Sequence, residues 1–472
     1  MIERRGLILS VVAAALVAAG VADRIDRGRP TTAVVAAAGP SARALDGGAS
    51  TWYCPLANAQ PANNLPADGS VVVQNTRPTA TDGVMTLYPT TGAPVTVPIR
   101  VGPRSRLVAH ESDFIKTPAV GAVVEMERGG TAVEQSVTSS LGESTSPCAT
   151  AAGDSWYLAE GSTALNNSMF LGLFNPFPDD AIVDLDFATE QGRTAPGAFQ
   201  GIVVPAQSVL SVNVGDHVRR REHVAVAATA RRGRIVVGRV QLRSQPRAGL
   251  TVSLAAPAAQ RFWDFPDGIV GDSVGERFHI YNPSKREASV ELALTLDQGA
   301  AEPFELKVGP GERLTVDPGT ESRVPKGVGH AATITSDVGV VAERTLDYIP
   351  PAPRQGQSIT LGATAAARHW LLPDGGLTEV LEEWVVVHNT GRRAAEVSVT
   401  AITGGHRVAL DGLASVEVPA GQRRTFRLLD SVAPRPDLPL AIDATQPVVV
   451  ERVLARVGKT GVSQSIAIPV EE

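Results

Sequence analysis

The sequence predicts an all-β chain: four tandem immunoglobulin-like antiparallel β-sandwich modules after an amino-terminal hydrophobic helix. Three observations carry this. Four landmarks recur in one order at near-constant spacing. Short apolar runs alternate with period two between turn residues. No long amphipathic helical pattern occurs beyond the amino terminus. The chain has 472 residues, 43% apolar and 19% charged. That is enough apolar material for real cores and excludes a wholly disordered chain.

In chain order, residues 1–5 are short and basic, and residues 6–22 run for 17 positions without a charge. Seventeen apolar residues is the low edge for a membrane-spanning helix, which needs about 20, and slightly long for a signal-peptide core. An uncleaved single-pass signal anchor and a signal peptide cleaved near Gly20-Val21-Ala22 both stay open, beside a buried helix of a cytosolic protein. The first two readings place the remainder outside the cytoplasm, at the cell membrane or secreted. Residues 1–27 form this segment, with membrane contact through residues 6–22. Residues 28–50, mostly Gly, Ala, Pro, Ser and Thr, read as a flexible spacer.

The modules follow at 51–152, 153–258, 259–364 and 365–472. The first landmark is a strand bearing Trp52, Trp156, Trp263 or Trp370, at spacings of 104, 107 and 107. The second is an Asn closing an apolar strand: Asn75, Asn175, Asn282 and Asn389, 23 residues after the Trp in module one and 19 in the others. The third is a turn Pro: Pro103, Pro205, Pro310 and Pro419. The fourth ends a Val-rich strand: Glu134-Gln135, Gly238-Arg239, Glu343-Arg344 and Glu451-Arg452.

Within a module, segment 181–187 puts Val183, Leu185 and Phe187 on one face and Asp184 and Asp186 on the other, the mark of a half-buried strand. Residues 203–210 read as strand, turn, strand, and runs at 224–230, 235–240 and 250–254 follow. Seven or eight short strands in about 105 residues fit an immunoglobulin-sized sandwich. Residues 374–384 suggest one short helical turn. The short Ala-rich junctions predict a semi-rigid rod of modules.

The repeated Trp reads as a core residue between sheets, the alternative being a sugar-stacking face. The repeated Asn reads as a turn former. Arg239, Arg344 and Arg452 either brace neighbouring modules or lie on the surface. Cys54 and Cys148, the two cysteines of the chain, suggest one disulfide. It would close a 94-residue loop, worth roughly 4 kcal/mol in the chain-entropy account.

The string Ser155-Trp156-Tyr157-Leu158-Ala159-Glu160-Gly161-Ser162-Thr163, followed by Leu173-Phe174-Asn175-Pro176, resembles an actinobacterial family of exported envelope proteins of unknown function, built from tandem Trp-x-x-Ala-Glu-Gly-Ser-Thr β-modules. Val341-Ala342-Glu343-Arg344 and Val450-Glu451-Arg452 are similar to that family's Val-x-Glu-Arg strand. The resemblance covers roughly residues 51–472, although modules three and four carry Phe265-Pro266-Asp267-Gly268 and Leu372-Pro373-Asp374-Gly375 instead of the full string. It implies an envelope location and a β-sandwich array, and no catalytic residues.

No nucleophile elbow, zinc-protease helix, Walker loop or dinucleotide fingerprint is present. No catalytic, cofactor or metal residue is therefore assigned. His217 and His223 sit beside Arg219, Arg220 and Arg221 in what reads as a solvated loop, with an anion site as the alternative. Asp184-x-Asp186 is explained by strand alternation rather than by a metal. A net charge of −6 gives no footprint for nucleic acid. The expectation is a non-catalytic envelope scaffold or assembly accessory with an envelope-protein partner. The alternative is a protein that binds a cell-wall glycan.

Overall fold

A computed structural model of the chain describes residues 39–60, 68–244 and 247–471. The fold is all-β and multi-sheet. Repeat 1 builds two four-stranded sheets, and repeat 2 a four-stranded and a five-stranded sheet. In repeats 3 and 4 one long strand, His330–Tyr348 and Leu440–Arg456, runs through both halves and joins them into seven- and nine-stranded sheets. Pairing within the named strands is antiparallel, as short connections require.

The landmarks sit where packing demands them. Strand Ala181–Thr189 buries Ala181, Val183, Leu185 and Phe187 and turns Asp186 to solvent. Trp52, Trp156, Trp263 and Trp370 are at most 1% exposed. Three of the indoles donate to a main-chain carbonyl: Trp156 to Ile235 at 2.8 Å, Trp263 to Val340 at 2.9 Å and Trp370 to Val448 at 3.1 Å. The aromatic body and its polar handle are both satisfied. Each Asn is a double tie. Asn282 Oδ1 accepts from Ser284 N at 3.0 Å, an Asx turn, while its Nδ2 donates to Val308 O at 2.9 Å across to the next hairpin. Asn75, Asn175 and Asn389 repeat the pattern. The Cys54–Cys148 disulfide is formed, with Cα atoms 4.6 Å apart.

The expected rod is corrected to a closed ring. Edge strands Gly142–Pro147, Gly249–Leu254, Gly356–Leu361 and Val462–Ile466, one per repeat, pack in the cyclic order 1–2–3–4–1. An edge strand carries unpaired backbone groups that must find partners when buried. Here hydroxyls serve. Val252 N and Leu254 N donate to Ser144 Oγ and Ser146 Oγ, both at 2.9 Å, Ile359 N to Thr251 Oγ1 at 3.2 Å, and Thr145 N to Ser463 Oγ at 3.2 Å. Close approach also needs Gly142, Gly249, Gly356 and Gly461. A Cβ on Gly142 would lie 2.7 Å from the Gly461 Cα, inside any allowed contact. The repeats are thus interlocked rather than discrete sandwiches.

Three further expectations are revised. Residues 374–384 hold no helical turn: Leu377 N donates to Arg435 O at 2.7 Å, and a strand begins at Leu381. The described part of the expected spacer is a strap. Ala42 N donates to Pro469 O and Glu471 N to Ala42 O, both at 2.8 Å, while Gly129 and Gly130 of repeat 1 donate to Gly47 and Arg43 carbonyls. It ties repeat 4 to repeat 1. The single-pass anchor and its membrane contact are withdrawn as well. No helix among the described residues is long and apolar enough to cross a membrane, and residues 6–22, on which the anchor was placed, lie outside the described residues.

Burial leaves the Glu111 and Glu383 carboxyls protonated near neutrality, each pushed up to about 8. Glu111 is 1% exposed, and desolvation, with Asp68 adding to it, pushes its carboxyl up to about 8. Because the folded value lies above the unfolded one, the native state holds an extra proton between about pH 4.5 and 8. Stability from this group falls as pH rises through that window, by at most about 5 kcal/mol. Glu111→Gln is expected to match the parent at pH 5 and exceed it at pH 8, read from urea midpoints at the two pH values.

Candidate functional site

Successive residues on a strand point to opposite faces, so each Glu-Arg landmark serves two neighbours. Arg239 of repeat 2 meets Glu343 of repeat 3, Nη2–Oε1 2.9 Å and Nη1–Oε2 3.2 Å. Arg344 meets Glu451 of repeat 4 at 2.5 and 3.4 Å. Arg452 meets Glu134 of repeat 1 at 2.9 and 3.1 Å, closing the ring. All six side chains are at most 1% exposed. A buried ion pair survives only with its remaining valences satisfied. The carboxylates meet this by accepting backbone N–H groups: Glu343 from Ala159 and Glu160, both 2.8 Å, Glu451 from Asp267 at 3.0 Å and Glu134 from Asp374 at 2.8 Å. Burial nonetheless pushes Glu451 up to about 7 against the pull of Arg344.

A second ionic layer was not read from the sequence. Glu160, Asp267 and Asp374, each four residues after the landmark Trp, pair with Arg313, Arg423 and Arg106 of the next repeat at 3.3, 3.1 and 2.9 Å. The signal was available: each Arg follows the landmark Pro by three or four residues.

The repeat 1–2 interface lacks both layers. Gln135 stands for the Arg, Gly238 for the Glu, Leu56 for the acid and Val209 for the second Arg. The substitutions are mutually fitted. A Cβ on Gly238 would come 2.5 Å from Pro55 Cγ, and one on Gly172 the same distance from Leu56 Cβ. Phe174 fills the gap edge-on to Tyr88 with centroids 5.4 Å apart. Losing both partners of a buried pair avoids the uncompensated charge that losing one would leave.

The Ala-Glu-Gly-Ser-Thr string is engaged along most of its length. Ala159 N and Glu160 N bind Glu343. Ser162 N donates to Gln241 Oε1 at 2.9 Å and Ser162 Oγ to Arg221 O at 3.1 Å. Thr163 Oγ1 donates to Val218 O at 2.5 Å. The string thereby pins the loop that carries Arg219, Arg220 and Arg221, of which Arg219 and Arg220 are exposed. Asp184 accepts from Gly201 N at 2.7 Å and pairs with Arg231, so it anchors a turn.

The Glu160 carboxylate is surrounded by two guanidiniums and two imidazoles from two repeats. Arg243 reaches Oε1 at 2.7 Å. His223 Nδ1 lies 3.1 Å from Oε2, His279 Nδ1 3.1 Å and Arg313 Nη2 3.3 Å. His279 Nε2 faces Thr345 Oγ1 at 2.9 Å. Burial opposes the Glu160 charge, but the His223 imidazole and the Arg243 guanidinium beside it hold the carboxyl below the usual range. Burial likewise holds His279 well below the ordinary imidazole value, so it is neutral. Among the described residues, Glu160, His223 and His279 are the group whose ligand atoms lie close enough, within 4.8 Å, to hold a metal ion.

Residues 108–367 match the model of a family described as "Family of unknown function (DUF5719)". No curated protein matches the chain. Among solved structures, Thermotoga maritima 1070 is 19% identical over 22% of this chain and 94% of its own, with a TM-score of 0.21. The Anabaena sensory rhodopsin transducer is 22% identical over 18% and 92%, with a TM-score of 0.16. A Streptomyces avermitilis alpha-L-rhamnosidase complexed with L-rhamnose is 10% identical over 86% and 57%, with a TM-score of 0.12.

Proposed function

The chain belongs to DUF5719, a family of unknown function, and we propose that it acts there as a non-catalytic cell-envelope scaffold working through protein interactions. One observation carries this reading: the repeated polar residues are consumed in joining repeats to one another. Enzymes need one asymmetric site with convergent free groups, whereas the Glu-Arg and acid-Arg layers are internal and recur at three interfaces. The repeats, immunoglobulin-like in size, then offer near-equivalent outer faces on one rigid frame. The Cys54–Cys148 disulfide fits an oxidising, extracytoplasmic compartment.

A second reading, a protein that binds a cell-wall polysaccharide, is favoured by one residue. The landmark Trp side chains are buried, but Trp384, the fifth, is only half-buried, and the Arg354 guanidinium lies 4.0 Å from its ring. The guanidinium lies over one face of the ring, and an aromatic residue joined to a hydrogen-bonding group suits a sugar. Co-sedimentation of the purified chain decides between the two. Pelleting with untreated wall but not with protease-treated wall or purified glycan supports the scaffold. Pelleting with purified glycan, lost in Trp384→Ala, overturns it in favour of the polysaccharide.

A further inference from the structure

We infer that Glu160, His223 and His279 form a site for a divalent transition metal, zinc foremost, that staples repeat 2 to repeat 3. The site goes beyond the scaffold reading and does not depend on it.

The donor set is particular to this interface. The position of His279, three residues before the landmark Asn, is Val72, Gly172 or Val386 in the other repeats. The position of His223, five residues before the partner of the landmark Trp, is Ala119, Gly329 or Asp437. Stability of the ring does not require two histidines here, since the Asp267–Arg423 and Asp374–Arg106 layers close without them.

The atoms are prepared as ligands. Arg243 holds Glu160 Oε1 at 2.7 Å and leaves Oε2 directed at both imidazoles, 3.1 Å from each Nδ1. Zinc bonds of about 2.0–2.1 Å in tetrahedral geometry separate ligand atoms by roughly 3.3 Å, which the two carboxylate–imidazole separations already match, while the three ligand atoms together lie within 4.8 Å. The His279 tautomer follows from its neighbours. A guanidinium only donates, and Arg313 Nη2 lies 3.0 Å from His279 Nδ1. Nδ1 therefore presents a lone pair and Nε2 carries the proton to Thr345, the outer partner that fixes a ligating imidazole.

A cation already stands at this point. Arg313 Nη2 contacts Glu160 Oε2, His279 Nδ1 and Thr315 Oγ1 at 3.3, 3.0 and 2.7 Å. It is the positive charge that the ligand set holds when no metal is bound. Zinc would displace it toward Glu190, whose carboxylate acts on Arg313 and accepts from His223 N at 3.3 Å. The His223 side chain is 25% exposed and offers the entry path. Three protein ligands leave a fourth position for water.

The test uses tag-free, chelator-treated protein and zinc chloride, read by isothermal titration and thermal unfolding, with cobalt(II) absorbance reporting coordination. The expected result is one zinc per chain and a rise in melting temperature that grows with zinc concentration. His223→Gln, at a partly exposed position, should fold and lose at least tenfold in affinity. Arg313→Ala should bind more tightly than the parent. Absence of saturable zinc binding by the parent, or equal binding by His223→Gln, overturns the site.

Discussion

Arg344→Met lowers stability by about 3–5 kcal/mol at pH 8, and by less at pH 5. The size is that of breaking one buried pair from one side. Arg344 and Glu451 are fully buried, and Glu451 also accepts from Asp267 N. Removing the guanidinium leaves a carboxylate with no cation against it. The sign with pH follows from Glu451. Burial already lifts it to about 7 with Arg344 present, and loss of Arg344 lifts it further. A group whose folded value exceeds its unfolded one stabilises below the unfolded value and loses that contribution as pH rises through the folded value. The variant therefore recovers on acidification as Glu451 takes a proton. Adding Glu451→Met should return part of the loss at pH 8, since two apolar chains replace two charges. The repeat 1–2 interface, with Gln135 and Gly238, is the natural form of that double change. Urea denaturation of the two singles and the double at both pH values reads the coupling. Additive losses would show that the pair is not what joins repeats 3 and 4.

Much of this was legible in the sequence because it recurs. Trp spacing marked the core residue of each repeat, and the Asn landmark marked a turn, since both act inside a single repeat. What did not show was the ring. Its closure depends on pairs such as Arg452 and Glu134, 318 residues apart, and nothing local distinguishes a rod of four units from a ring of four. Gln135 in place of the landmark Arg has no evident reason when read alone. Beside Gly238 it is half of a matched loss. The acid layer was hidden because Glu160, Asp267 and Asp374 differ in type and follow the Trp inside otherwise dissimilar loops. The four inner-strand glycines, at spacings of 107, 107 and 105, were visible but carry no chemistry that periodicity detects. Their role is steric and exists only once four strands meet.

Trp263→Ala is expected to cost about 3–5 kcal/mol and to unfold more than its own repeat. The indole is 1% exposed and packs among Phe265, Ile334 and Val340, so truncation leaves a cavity that β-strands pinned on both sides cannot fill by collapse. The Val340 carbonyl also loses its 2.9 Å donor inside the core. Trp263→Phe should lie between, keeping most of the packing and losing the N–H. The effect spreads because repeat 3 supplies Glu343 to repeat 2 and Arg344 to repeat 4. When the strand carrying them loosens, Arg239 and Glu451 both lose their counter-ions, and two of the three ionic interfaces fail together. Amide hydrogen exchange should accordingly show loss of protection in Val236–Arg243 and Leu440–Arg456 as well as in repeat 3. Loss confined to repeat 3 would mean that the ionic layers do not transmit stability around the ring. A variant that melts like the parent would overturn the core role of the landmark Trp itself.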